Sequence, residues 1–201
     1  MSSAPLRRAH LDPDPLRQFA AWYTQAADVV PTPEAVVLAT ATASGAPAAR
    51  MVLLKGFDQR GFVFYTNYFS RKGQEIAQNP RAAMLFDWSP LGRQVRIEGA
   101  VHRIDAAESD AYFRTRPPGS RFSAAASPQS RPVESRAVLE DTVAALMARY
   151  PEADVPRPDE WGGLRLVASQ YEFWQHGDDR LHDRFRYRRE AEAWKIERLG
   201  P

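Results

Sequence analysis

The chain has 201 residues, a formal net charge of +2, 44% hydrophobic and 26% charged residues, and no cysteine. That length supports one domain with a sizeable core, and the lack of cysteine excludes disulfides and thiolate metal sites. No apolar run approaches the roughly 18 residues of a membrane span, and no apolar stretch of a secretory signal follows Arg7 and Arg8.

A cytoplasmic protein with no membrane partner is therefore the expectation. Lys and Arg number 27, with arginine dominant. Arginine suits an anionic ligand because its planar fork matches phosphate, although a biased base composition enriches arginine and alanine equally well. The near-balanced charge argues against nucleic acid, which calls for a one-sided basic surface.

In chain order, the first element is a helix capped by Asp14, with Pro15 at its first position and Leu16, Phe19, Ala20 and Tyr23 at helical spacing. Pro31-Thr32-Pro33 ends it. Residues 1–13 read as a flexible arm. Strands follow over 35–42, 50–55, 62–67, 82–88 and 93–104, with a hairpin-like loop at 57–61 and turns at Ser44-Gly45 and Ser89-Pro90-Leu91-Gly92. Helices are expected over 70–78, 105–114 and 135–149. The second of these opens on Asp105 with Glu108 three residues on, the pattern of a capping box. In the third, Val138, Leu139, Leu146 and Met147 share roughly one face. Residues 150–163 read as a connection, and strands return over 164–175, 183–189 and 194–199. There is no internal repeat. The pattern is mainly β with flanking helices (α+β), an antiparallel barrel or sandwich in one domain over 1–201.

Four clusters carry chemistry. In the first, a strand runs out through Tyr65 and Thr66, and Ser70 opens a helix bearing Arg71 and Lys72. Free N–H groups, a positive dipole end and two cations make a phosphate cradle; a capped surface helix is the commoner meaning of such a stretch. Gly73, a poor helix former, lies so near the end that it matters little. In the second, Arg50 and Lys55 bracket an apolar strand, with Arg50, Val52 and Leu54 on one face and Met51, Leu53 and Lys55 on the other. They mark strand boundaries or the two ends of a groove for a polyanion. In the third, Arg180, His182 and Arg184 project to one face if extended, where the two guanidiniums would disfavour a proton on the imidazole. The alternative is a charged edge strand. In the fourth, a helix ends at Arg116 and the rigid turn Pro117-Pro118-Gly119 presents Arg116, Gly119 and Ser120, unless the arginines only complement a helix C-terminus. The four histidines lack zinc-like spacing, so no metal is expected, and no glycine-rich nucleotide fingerprint occurs.

Taken together, RMVLLK at 50–55, FYTN-x-x-SRK at 64–72, RQVRIEG at 93–99, YFRTRPPGS at 112–120, PQSRPVESR at 128–136, WGGLRL at 161–166, EFWQ at 172–175, RLHDRFRY at 180–187 and WKIERLGP at 194–201 resemble the pyridoxine/pyridoxamine 5′-phosphate oxidase family over nearly the whole chain. The resemblance implies an FMN-binding split β-barrel, a homodimer with FMN at its interface, and oxidation of pyridoxine or pyridoxamine 5′-phosphate to pyridoxal 5′-phosphate with dioxygen as acceptor. Carried over by motif, Arg50, Met51, Val52, Leu53, Lys55, Tyr65, Thr66, Arg71 and Lys72 line the FMN site from one subunit. Gln94, Gln129, Ser130, Trp174 and Arg184 complete it, several from the partner. Lys55, Tyr112, Arg116 and Ser120 hold the substrate phosphate, and Arg180 and His182 face its ring as the catalytic pair. Residues 1–12 hold no match to the arginine–tyrosine arm of many relatives. Another split-barrel flavin or deazaflavin reductase, or a non-enzymatic pyridoxal phosphate-binding protein, is the alternative.

Overall fold

The computed structural model describes residues 5–191 and 193–201. Asp14 caps the first helix, α1 (Pro15–Ala27), its carboxylate accepting from the Leu16 N–H at 2.9 Å. The chain then alternates through β1 (Ala35–Ala41), β2 (Pro47–Leu53), β3 (Gly56–Asp58) and β4 (Gly61–Asn67) to α2 (Arg71–Gln78), and on through β5 (Arg81–Trp88) and β6 (Arg93–Arg103). Three helices follow, α3 (Ala106–Thr115), α4 (Pro118–Ala126) and α5 (Arg136–Arg149). The chain ends in β7 (Trp161–Gln175), β8 (Asp183–Glu190) and β9 (Ala193–Leu199).

All nine strands form one antiparallel sheet in the order β2-β1-β5-β6-β7-β4-β3, with β8 added to β7 and β9 to β8. Strand β7 is the spine. Its first part, from Trp161 to Leu166, pairs with β4, its last part, from Gln170 to Gln175, pairs with β8, and β6 runs alongside both. The register slips between Glu98 and Gly99, where Ser169 of β7 has no partner in the ladder. Such a bulge adds a bend and local twist, which helps the sheet to curl. At the bulge the backbones approach so closely that a Cβ on Gly99 would stand 1.9 Å from the Val167 carbonyl oxygen.

The hollow of the curled sheet is filled from α1. Phe19 is fully buried, with its ring centroid 4.9 Å from Phe57 and 5.0 Å from both Phe62 and Phe86. Trp22 meets Phe173 edge-on at 5.2 Å. Each such ring contributes on the order of 1.5–3 kcal/mol by burial. Ahead of α1, Leu6 and Leu11 are buried and Arg198 donates to the Leu6 carbonyl, so this part of the arm packs on β8 and β9. A second, smaller cluster of Phe113, Phe122, Val155 and Trp161 joins α3 and α4 to the start of β7.

Several expectations are corrected. The turn read at Pro117-Pro118-Gly119 is the start of α4, with Pro118 at the first helical position, where its missing N–H costs nothing. Asp105 stands at the N-cap of α3 but makes no side-chain capping bond, and Glu108 accepts instead from Arg165 at 2.8 Å. The α5 face read as apolar is only partly covered: no residue of this helix is fully buried and Val138 and Met147 are exposed, while Leu146 packs against the second cluster. Strand β7 begins inside the stretch read as a connection.

Gly99→Ala should lower the urea midpoint by an amount equivalent to about 1–3 kcal/mol, the usual cost of overpacking, with the m-value unchanged. A wild-type midpoint would show that the bulge yields without cost.

Candidate active site

Residues from β1, β2 and α2 converge at the end of β4. Ser70 caps α2, its hydroxyl accepting from the Gly73 N–H. Gly73 is required there by packing, since a Cβ would stand 2.2 Å from the Tyr68 carbonyl oxygen, contrary to the expectation that it matters little. Lys72 reaches back to donate to Thr66 Oγ1 at 3.1 Å and to Gln129 Oε1 at 3.1 Å, and the Thr66 hydroxyl donates to the same Gln129 oxygen at 3.1 Å.

Beside them lies Glu75, 4% exposed, which sequence reasoning missed. Its carboxylate accepts from Arg71 Nε at 2.8 Å, Arg50 Nη2 at 3.0 Å and the Thr40 hydroxyl at 2.5 Å. Burial pulls the Glu75 carboxyl upward, but these hydrogen bonds outweigh it and hold its pKa below the usual value. Lys72 is pushed down by burial and by the nearby Arg50 guanidinium. Arg50, Arg71 and Lys72 thus face one carboxylate, which leaves a surplus of two positive charges at a helix N-terminus.

Next to this cradle is a recess of about 350 Å³ lined by Asn67, Arg116, Ser120, Gln129 and Trp161, among others. Tyr65 and Tyr112 stack at 3.8 Å, and Tyr65 lies 5.3 Å from Trp161 in near-parallel planes. Burial raises both phenols, Tyr65 to about 12. The Arg116 guanidinium lies 4.6 Å over the Trp161 ring, and its Nη1 is buried without a hydrogen-bond partner. Burial also pulls its pKa down. A buried cationic donor with no acceptor is a feature that calls for an anion.

A second set gathers at the far end of β7. Gln94, Trp174 and Arg184 line one recess with Arg96 and Glu172. Glu172, 5% exposed, accepts from Arg184 Nε at 2.8 Å and Arg96 Nη2 at 2.7 Å, while Arg184 also donates to the Gly200 carbonyl at 2.9 Å. The His182 ring lies 4.7 Å from Trp174, and its Nδ1 accepts from the Gly177 N–H at 3.2 Å.

The family profile for pyridoxamine 5′-phosphate oxidase matches residues 24–149, and that for the C-terminal dimerisation region of pyridoxine 5′-phosphate oxidase matches residues 161–201. The chain belongs to the pyridoxine/pyridoxamine 5′-phosphate oxidase family. Similar members include the pyridoxine/pyridoxamine 5′-phosphate oxidases of Salinibacter ruber, 53% identical over 98% of this chain and 94% of that one, and of Rubrobacter xylanophilus, 55% identical over 94% and 88%. Among solved structures, PhzG from Burkholderia lata 383, in complex with tetrahydrophenazine-1-carboxylic acid, superposes with a TM-score of 0.93 at 32% identity over the whole of both chains. A pyridoxamine 5′-phosphate oxidase-related, FMN-binding protein from Nostoc punctiforme superposes with a TM-score of 0.74 at 19% identity, covering 95% of this chain and all of that one, and shares the fold. The curled antiparallel sheet is the FMN-binding split barrel of this oxidase family.

Of the family positions read from sequence, the structure brings together Arg50, Thr66, Arg71, Lys72 and Gln129 at α2, and Tyr65, Tyr112, Arg116 and Ser120 beside them. Gln94, Trp174, His182 and Arg184 stand apart from these. Met51 and Leu53 lie on the exposed face of edge strand β2, Val52 packs on the core, and Lys55 and Ser130 are exposed in connections. The extended face read through Arg180, His182 and Arg184 is not formed. Asp178–Arg180 is a short turn with Asp179 and Arg180 in the left-handed region (φ 51° and 64°), and β8 begins only at Asp183. Glu75, Glu172 and Trp161 were missed. The only signal for either glutamate is a carboxylate amid an excess of arginine.

Glu75→Ala should cost about 1–3 kcal/mol of stability, the usual consequence of leaving partly buried donors such as Arg50 and Thr40 without their acceptor. Because the Glu75 pKa is lowered on folding, its contribution is present at neutral pH and is lost as pH falls through the folded value. Chemical denaturation of wild type and variant at neutral and acid pH checks both parts. A stability gap that stays constant into strong acid would count against the pairing.

Proposed function

We propose that this family member is an FMN-dependent oxidase that converts pyridoxine 5′-phosphate and dioxygen to pyridoxal 5′-phosphate and hydrogen peroxide. With pyridoxamine 5′-phosphate, it also consumes water and releases ammonia. The observation that carries the reading is the adjacency of two anion sites, the α2 cradle and the Arg116 recess, with the stacked Tyr65 and Tyr112 beside them. One suits the phosphate of the cofactor and the other that of the substrate. Curated relatives with 50–55% identity over nearly the full chain support it.

The donor set fits FMN. Arg50, Arg71, Lys72, Thr66 and the first turn of α2 hold its phosphate, with Gln129 and Ser130 alongside. Met51, Val52, Leu53 and Tyr65 border the ring system, and Gln94, Trp174 and Arg184 complete the site. When bound, FMN supplies the two-electron acceptor and passes the electrons to dioxygen. Lys55, Tyr112, Arg116 and Ser120 hold the substrate phosphate, which binds remotely from the reacting carbon and fixes its approach. Arg180 and His182 face the pyridine ring. With Nδ1 engaged as an acceptor, His182 has Nε2–H as the donor with which to orient that ring. Neither residue is assigned as an obligatory base.

The site is read as shared across a homodimer. Gly162 pairs with Thr66 and Trp174 with Gln94, so the two sets sit twelve residues apart on β7. That separation is about 40 Å of extended strand, far more than FMN spans. A two-fold partner supplies the missing set to each site, and the match of residues 161–201 to a dimerisation region supports this. Single-domain organisation, a cytoplasmic location and the absence of nucleic-acid or membrane partners complete the proposal. No helix among the described residues is long and apolar enough to cross a membrane.

Aerobic assay of both phosphorylated substrates with FMN, following aldehyde and peroxide, tests the activity. A second reading, oxidation of an unphosphorylated polycyclic carboxylate, rests on the similarity to PhzG. Turnover of a dihydroaromatic carboxylate without turnover of either phosphate ester would favour it.

The shared site predicts complementation. Arg71→Glu and Arg184→Gln homodimers each carry a defect in both sites and should bind FMN poorly. In a mixed dimer, one site collects both defects and the other none. Refolding an equimolar mixture should restore about a quarter of wild-type activity, since about half of the dimers are mixed and each regains one site of two. Mixed dimers that form without regaining activity would place both sets on one chain.

A further inference from the structure

The arginines of the two FMN sets are held by carboxylates: Arg50 and Arg71 by Glu75, and Arg184 by Glu172. Arg116 is not. Among the described residues no carboxylate pairs with it, and its guanidinium instead lies 4.6 Å over Trp161 and 5.7 Å from the Phe113 ring. Trp161 is 7% exposed and is fixed from several sides. Its ring runs near-parallel to Tyr65 at 5.3 Å and to Tyr112 at 6.3 Å, and its carbonyl accepts from Arg157 Nη1 at 2.6 Å. It lines the same recess as Arg116 and Ser120.

The difference has a chemical consequence. A carboxylate partner would occupy the edge donors of the guanidinium and cancel the charge that a phosphate needs. An aromatic face holds a guanidinium flat through its plane and leaves the edge N–H groups and the net charge in place. The Arg116 Nη1, buried with no hydrogen-bond partner, accords with a guanidinium held by a ring and not by an acceptor.

We infer that Trp161 is a positioning residue for substrate binding: its indole holds the Arg116 guanidinium in place, charged and free of a carboxylate partner, in the recess read as the site of the substrate phosphate. The inference rests on the assignment of Arg116 to that phosphate. It adds a residue that the site read from the family motifs did not include, and it predicts an effect on substrate affinity.

The test is a double-mutant cycle on the FMN-loaded enzyme. Trp161→Leu should raise KM for pyridoxine 5′-phosphate about tenfold and leave kcat and the FMN Kd within twofold. Trp161→Phe keeps a ring face and should stay within threefold of wild-type KM. In an Arg116→Ala background, Trp161→Leu should change KM less than twofold, because the group it positions is gone. An equal KM increase in both backgrounds, or kcat and FMN affinity falling together with it, overturns the inference. Should the leucine variant fail to fold, Arg116→Lys carries the test from the other side. An ammonium keeps the charge but not the flat face, so KM should again rise about tenfold, and a wild-type KM overturns the inference. Wild-type enzyme that turns over neither phosphate ester refutes the proposed function instead.

Discussion

The two groups of binding residues are set against opposite ends of one strand. Strand β7 hydrogen-bonds to β6 along its length, to β4 at its beginning and to β8 at its end, so it belongs to both parts of the curled sheet. Its beginning carries Trp161 into the recess beside Tyr65 and Tyr112, and its end carries Glu172 and Trp174 into the second recess. The bulge at Ser169 lies between the two and bends the strand without breaking its pairing with β6. The distance between the two sets is therefore fixed by backbone pairing and not by side-chain choice. Rigid elements place functional groups more accurately than loops do, which suits an enzyme whose task is to align two flat rings.

The second organising feature is the handling of charge. Arginines gathered around an anion site repel one another before the anion arrives. Buried carboxylates relieve that repulsion and hold each guanidinium at a set angle, as Glu75 does for Arg50 and Arg71 and Glu172 does for Arg96 and Arg184. The α2 cradle still keeps an excess of positive charge, supplemented by the helix end. At Arg116 an aromatic surface replaces the carboxylate. The arginine-rich composition, read alone as a bias of base composition or as a taste for anions, is in the structure partly a set of arginine–carboxylate pairs, with cations such as Arg116 and Lys72 standing outside them.

Much of the architecture was legible because local physics and tertiary packing agree. Asp14-Pro15 starts α1, Ser70 caps α2, alternation marks β1, β5 and β6, and β4 is an apolar run buried along nearly its whole length. The misreadings occur where a distant partner overrides a local signal or where a local motif suits more than one conformation. Glu108 leaves its capping role because Arg165, 57 residues away, claims it. Pro117-Pro118-Gly119 looks like a turn, yet Pro118 at the first position suits a helix as well as it suits a corner. Arg180 and His182 lie in a stretch that reads as extended, but two successive left-handed residues turn the chain before β8. Glu75 could not be told from a solvated helix carboxylate, since its partner Arg50 comes from a strand 25 residues earlier. The motif residues and their division into two sets were read by resemblance, whereas the contact of Gln129 with Thr66 and Lys72 is seen only in the structure.

The separation along β7 has a thermodynamic corollary. If neither set alone encloses the cofactor, then cofactor binding and subunit association are linked equilibria. Each must tighten the other by the same factor, as reciprocity requires of any two coupled binding events. Loss of flavin then loosens the dimer, and dilution of the protein strips the flavin. The cofactor content of the enzyme becomes a function of its own concentration. On that condition, a fall in flavin shifts the subunit equilibrium toward the monomer by the same factor with which association tightens the cofactor.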